Sequence, residues 1–219
     1  MNIQIATVGV NEKPIIRGVR AYPPDKLYLI HSDKREIEKN ALEIKEKVEA
    51  WDIKCETKII NAFRLDETII YIQEIYHKHK KDTIYINFTG GTKVMASAAL
   101  LAGYFFKLDI IYVLSDEVEE NKGKPNEELV LKLPLPRTDL EELEENQKRI
   151  LLIIYQNGNR LDFANSILHE KLKRSKQIIS YHVRELEKKG LIKPIYEGRS
   201  KTIELTQAGT LFAKIISTK

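Results

Sequence analysis

The sequence predicts an α/β fold, a doubly wound Rossmann-like parallel sheet, followed by a small winged helix-turn-helix domain. Three observations carry this. Short runs of β-branched and aromatic residues alternate with amphipathic helical stretches from residue 2 to residue 114, the pattern of a parallel sheet wound on both faces. Residues 83–107, TIYINFTGGTKVMASAALLAGYFFK, read as a buried strand that runs through two glycines straight into an apolar, small-residue helix. The charge then changes sign along the chain. From residue 146 onward there are 15 Lys and Arg against 6 Asp and Glu, which leaves 21 against 26 of the chain's 36 and 32 for residues 1–145.

In order, residues 2–8 form the first strand, and Pro14 with Asn11 as cap opens a helix to residue 21. A second strand, 26–30, ends at His31, Ser32 and Asp33. Asp33 and Glu36 have the spacing of a capping box for a long amphipathic helix over 34–51. A strand at 55–60, a helix at 65–79, the central strand at 83–88, its helix at 94–106 and a fifth strand at 109–114 follow. Residues 117–126 read as an exposed loop or hairpin and 128–133 as a last strand. Pro134 and Pro136 bracket the exit from the domain, and Asp139 with Glu142 is expected to start a connecting helix. The resulting division is 1–137 for the α/β domain, 138–145 for a linker and the start of the connecting helix, and 146–219 for the winged helix.

In doubly wound sheets ligands bind beyond the carboxyl ends of the strands. Here those ends carry Gly9, Val10, Asn11 and Glu12, then Ser32 and Asp33, then residues 61–64, then Thr89, Gly90, Gly91, Thr92 and Lys93, then Ser115 and Asp116. A strand that delivers glycines to a helix start collects unpaired backbone N–H groups and the positive helix end, which attract phosphate, and Lys93 adds an ammonium. GGTK matches neither the GxxxxGK[ST] nor the GxGxxG pattern, so a tight turn capped by Thr92 remains the alternative on these residues alone.

The lone Cys55 excludes an internal disulfide or a cysteine-rich zinc site and reads as an inert strand residue. His31, His77 and His79 lack metal-ligand spacing, and no cofactor or metal is expected. No apolar run reaches the roughly 20 residues of a membrane span, and no secretory signal is evident, which points to the cytosol.

From residue 147 the pattern is a winged helix-turn-helix: a helix around 150–155 closed by Asn157-Gly158-Asn159, a second over 161–172, and a third over 176–189 capped by Ser175. Ile178, Ile179, Val183 and Leu186 are expected inside. Lys176, Gln177, Ser180, Tyr181 and Arg184 form the opposite face, with Arg199 and Lys201 on the wing. These residue types suit DNA: Arg184 and Gln177 for base edges, Lys176, Arg199 and Lys201 for phosphates. The basic C-terminal part favours a polyanion and double-stranded DNA as partner.

TVGVNE and NFTGGTKVM at strand ends, followed by YHVRELEKKGLI, resemble the CRISPR-associated Rossmann-fold (CARF) regulators with a C-terminal winged helix-turn-helix, over nearly the whole chain. The resemblance implies a homodimer that binds one cyclic oligoadenylate, with cyclic tetra-adenylate the expected form, as effector in a symmetric pocket. Gly9, Asn11 and Glu12 would match the family's first ligand motif and residues 89–93 its second. It implies a ligand-gated transcription regulator of a CRISPR-Cas system. The RNase effector motif of related proteins, Arg and His four to six residues apart, is absent, since Arg174 and His182 have seven residues between them. Two alternatives stay open: a metal-independent ring nuclease that degrades its ligand, and a nucleotide-responsive regulator of metabolic genes.

Overall fold

The structure is a computed structural model that describes residues 1–162, 167–197 and 200–218. It divides into two compact units, Met1–Leu135 and Pro136–Lys219.

The first unit is a six-stranded sheet in the order β3-β2-β1-β4-β5-β6. Its elements are β1 (Asn2–Thr7), α1 (Lys13–Ala21), β2 (Lys26–His31), α2 (Arg35–Glu49), β3 (Lys54–Ile59), α3 (Leu65–Lys78), β4 (Thr83–Asn87), α4 (Lys93–Phe106), β5 (Asp109–Val113), a single 3-10 turn (Glu119–Asn121), α5 (Asn126–Leu129) and β6 (Val130–Leu133). β1 to β5 are parallel, and β6 runs antiparallel to β5 at the edge. The strand period of two sorts the core into layers. Ile3 and Ile5 of β1 join Tyr28, Ile30, Ile84 and Ile86 under α3 and α4, whereas Ala6, Leu27 and Leu29 pack with Ile15 and Val19 of α1 and Ile37, Ala41, Ile44 and Val48 of α2. Central strands buried on both faces explain why β1, β2 and β4 read as nearly continuous apolar runs.

Several start signals act differently from the sequence reading. Glu12, not Asn11, is the N-cap of α1; the Asn11 carboxamide oxygen instead accepts the Lys13 N–H at 2.9 Å, a local turn two residues on. The capping box at Asp33 and Glu36 does not form: Lys34 takes the extended N-cap position of α2, which leaves Asp33 one residue too early to cap anything. The small residues of α4 face inward. Ala98, Ala99 and Ala102 are fully buried, and a Cβ on Gly103 would lie 2.1 Å from Ile110 Cδ1, so these residues serve close packing on β5 and not a partner surface. The outer stripe of α4 is Lys93, Ser97, Leu101 and Phe105, with Leu101 38% and Phe105 57% exposed.

The second unit comprises α6 (Glu145–Gln156), β7 (Arg160–Asp162), α7 (Ile167–Leu172), α8 (Lys176–Lys188), β8 (Ile192–Glu197), β9 (Ser200–Leu205) and α9 (Gln207–Ser217), with the sheet order β7-β9-β8. Its core is separate from that of the first unit and runs from Leu143 and Ile150 through Ile179 and Leu186 to Phe212. The helix expected from Asp139 begins only at Glu145, because Glu144 and Gln147 form a reciprocal capping box there while residues 139–143 make turns. The expected second helix from residue 161 is shorter, since Leu161 pairs with Ile203 in β7 and is buried in the core. Ile178, expected inside, is 41% exposed; His182 occupies the inner stripe of α8 with Ile179, Val183 and Leu186.

Candidate functional site

The chain winds outward from β1 through β2 to β3, then returns to place β4 on the other side of β1. The carboxyl ends of β1 and β4 are therefore the switch point at which a doubly wound sheet opens a crevice. The two loops there touch through their backbones. Thr7 Oγ1 donates to the Gly90 carbonyl at 2.7 Å, and a Cβ on Gly9 would sit 2.9 Å from the Gly91 nitrogen. Gly91 has φ +78°, where an L side chain is strained, and a Cβ on Gly90 would lie 2.3 Å from the Thr7 carbonyl oxygen. Both glycines are required by the turn itself.

On the β3 side of this contact lies a cavity of about 500 Å³. It is walled by Gly9 and Val10 after β1, Ser32, Asp33 and Lys34 after β2, Asn61, Ala62 and Phe63 after β3, and Gly91, Thr92 and Met95 at the start of α4. Thr92 caps α4 by accepting the Met95 N–H at 3.2 Å, and its hydroxyl donates to the Ala62 carbonyl at 2.7 Å, which fixes the helix start against the β3 loop. Lys93 stands exposed on the first turn of α4, with no ion-pair partner among the described residues. The opening amides of a helix have no intrahelical acceptor, so the Gly91 and Thr92 corner offers N–H donors; Lys93, next in sequence, carries its cation outside the cavity lining.

The structure thus brings together Gly9, Val10, Ser32, Asp33, Gly91 and Thr92 around one cavity. Asn11 and Thr89 line a smaller recess of about 110 Å³ on the β5 side, with Lys13, Arg17 and Asp116. Thr89 Oγ1 there accepts the Val113 N–H at 2.8 Å. In the same recess Arg17 pairs with Asp116 at 2.6 Å; burial pulls the Asp116 carboxyl upward, and Arg17 and Lys13 together outweigh it to hold the group below its usual range. Glu12 is engaged by Lys47 of α2 at 2.7 Å. Gly90 is consumed by the turn.

One contributor escapes the sequence reading. Asn40 of α2 donates to the carbonyls of Gly9 at 2.7 Å and Val10 at 3.2 Å and so holds the β1 loop in place. Its signal is a polar residue on the apolar stripe of Ile37, Ala41 and Ile44. Phe63, 70% exposed, lines the cavity with Asn61 and Ala62, within the strand end 61–64 that the sequence marks. Cys55 is buried, and burial pushes its thiol up to about 12, so it is no nucleophile at neutral pH. Among the described residues no group of three or more His, Cys, Asp or Glu is placed to hold a metal, and no helix is long and apolar enough to cross a membrane.

In the second unit Ser175 caps α8, and Lys176, Gln177, Ser180, Tyr181 and Arg184 share one shallow groove with Glu185 and Lys188. Lys201 lies on β9 with its ammonium 5.8 Å from the Tyr196 ring centroid. Arg199 lies outside the described residues.

The family model described as "HFX_2341_N:-like, N-terminal" matches residues 2–118, more than half of the chain. The chain belongs to this HFX_2341_N-like family. Residues 143–193 of this HFX_2341_N-like chain match the MarR family model. An uncharacterized protein of Archaeoglobus fulgidus is 22% identical over 96% of both chains. Among solved structures, Enterococcus italicus Csm6 bound to cyclic hexa-2′-fluoro-hexa-dAMP is similar over 85% of this chain and 53% of its own, with 18% identity and a TM-score of 0.52. Can2 from Sulfobacillus thermosulfidooxidans, in complex with cyclic tetra-adenylate, matches over 98% and 61% with 16% identity and a TM-score of 0.47. The HFX_2341_N-like chain thus spans between half and two thirds of these two structures. Its fold is that of a CARF-like α/β unit followed by a MarR-type winged helix.

Proposed function

We propose that this chain is a ligand-gated transcription regulator of a CRISPR-Cas system, whose first unit binds a cyclic oligoadenylate, cyclic tetra-adenylate in the first instance, and whose second unit binds duplex DNA. One observation carries the reading. A single chain joins a switch-point cavity lined by Gly91 and Thr92 at the start of α4 to a MarR-type unit whose α8 exposes Lys176, Gln177, Tyr181 and Arg184. The Csm6 likeness supports it, since that protein was solved with a cyclic adenylate analogue on a shared fold. In this reading the phosphates meet Lys93 and the opening amides of α4, and the protein acts as a homodimer in which the exposed stripe of Leu101 and Phe105 brings the two Lys93 residues to one ligand.

The test is fluorescence anisotropy on duplexes from upstream of the protein's own and neighbouring genes, with and without cyclic tetra-adenylate, with calorimetry on the ligand alone. Lys93→Ala is expected to lose about tenfold or more in ligand affinity, the loss of one charge-assisted contact, and to keep its DNA binding. Arg184→Ala is expected to keep ligand affinity and lose sequence preference. A wild-type protein that binds no duplex, or binds DNA identically with and without the ligand, overturns the proposal.

A further inference from the structure

Within the same cavity one acidic side chain has no task in the fold. Asp33 follows β2 directly, lines the cavity, is exposed, and has no hydrogen-bond or ion-pair partner among the described residues. Lys34 has displaced it from the cap of α2. The second carboxylate of the lining, Glu67, already accepts the Asn61 N–H at 2.8 Å. Asp33, beside the single lining cation Lys34 at the start of α2, leaves that edge of the cavity receptive to hydrogen-bond donors, while Glu67 belongs to α3. The helix-start corner expected to attract phosphate is at Gly91 and Thr92.

Between the two walls the lining is apolar: Val8, Ile37, Ile59, Ile60, Phe63 and Met95. A nucleoside unit has matching parts in the same sequence, an apolar base, a sugar with hydroxyl donors and a phosphate. In the dinucleotide-binding form of this fold, whose GxGxxG turn after β1 is represented here by Gly9 alone, an acidic residue about 20 positions on, at the end of β2, accepts the ribose 2′-hydroxyl. Asp33 holds that topological position relative to Gly9. We infer that Asp33 is a specificity-determining residue that accepts a ribose 2′-hydroxyl, and that the cavity therefore selects ribonucleotide ligands over their 2′-deoxy counterparts. This rests on the cyclic-nucleotide reading above.

Calorimetry on the full chain tests it with cyclic tetra-adenylate, its all-2′-deoxy analogue and its 2′-fluoro analogue, whose fluorine cannot donate a hydrogen bond. The wild type is expected to bind the ribo form about ten- to a hundredfold more tightly than either analogue, the effect of one hydrogen bond to a charged acceptor. Asp33→Ala is expected to bind all three alike, and Asp33→Asn, which keeps a neutral acceptor, to show a smaller preference. Thermal melts of both variants should match the wild type, because the side chain holds nothing in the fold. Equal affinity of the wild type for the ribo and deoxy forms overturns the inference and leaves the sensing reading standing. An equal loss of affinity for all three ligands in Asp33→Ala also overturns it, by assigning the carboxylate to the base. No binding of any of the three overturns both.

Discussion

Gly90 and Gly91 show how one residue type can answer two questions. The sequence reading asked whether they cradle phosphate, and the backbone shows that each is needed without a ligand, one for its approach to Thr7 and the other for φ +78°. Gly90→Ala should force the β1 and β4 loops apart and destabilise the first unit by about 1 to 3 kcal/mol, the usual cost of overpacking, read as a lower urea midpoint at unchanged slope. For the same reason Gly91→Asp cannot isolate a ligand effect from strain, whereas Lys93→Ala can. Cys55 gives a pH prediction. Its folded value, pushed to about 12 by burial, lies above the roughly 8.5 of an exposed thiol, so the stability it contributes is full below about 8.5 and is lost as pH rises toward 12. At pH 8 a thiol reagent should label Cys55 slowly in the native protein and rapidly in urea; equal rates would contradict the burial. At this scale Thr92 was legible because cap preferences are local. Asp33 was misread because the same preference does not separate the cap from the position before it, and only the extended backbone of Lys34 decides.

Among elements, those with a pattern of their own were legible and β7 was not. β1, β2, β4 and α2 announce themselves through period and length, and the strand-end rule then named most of the cavity. β7 has three residues and no pattern of its own; it exists because Leu161 fills the second core and β9 offers it an edge. The start of α6 was misplaced because an acidic run resembles a first turn anywhere, while the reciprocal bonds of Glu144 and Gln147 occur at one place. α2 carries the prediction of this scale. It touches the site through Asn40, whose carboxamide satisfies the Gly9 and Val10 carbonyls from a buried position. Asn40→Ala removes both donors at once. Urea unfolding should show a loss of about 1 to 3 kcal/mol, and cyclic tetra-adenylate affinity should fall with the loosened β1 loop although the residue is not on the cavity lining. Unchanged stability would mean that water replaces the carboxamide freely.

At the scale of the whole molecule, the change of charge near residue 146 and the prolines at 134 and 136 made the bipartite plan legible before any coordinate. The boundary falls between Leu135 and Pro136. What the sequence alone did not reveal is that each buried cluster draws its residues from one unit: Ile3 to Ile110 and Ala6 to Cys55 in the first, Leu143 to Ala213 in the second. Burial of apolar surface is the dominant favourable term in folding, so a unit with its own closed core should fold by itself. Expressed separately, residues 1–135 and 136–219 should each give a cooperative thermal transition and a dispersed amide spectrum. The division of labour follows from the same separation. The fragment 136–219 carries the net positive charge and α8, so it should bind duplex DNA with a steep salt dependence and ignore cyclic tetra-adenylate; the fragment 1–135 should bind the ligand and no DNA. On the proposed homodimer, Phe105→Glu in the full chain should leave both transitions intact and shift light scattering from dimer to monomer, which would weaken DNA binding through the loss of two-site attachment; a wild type that is already a monomer contradicts that assembly. If fragment 136–219 is unfolded alone, or if it responds to the ligand, the two units are not the separate sensor and reader proposed here.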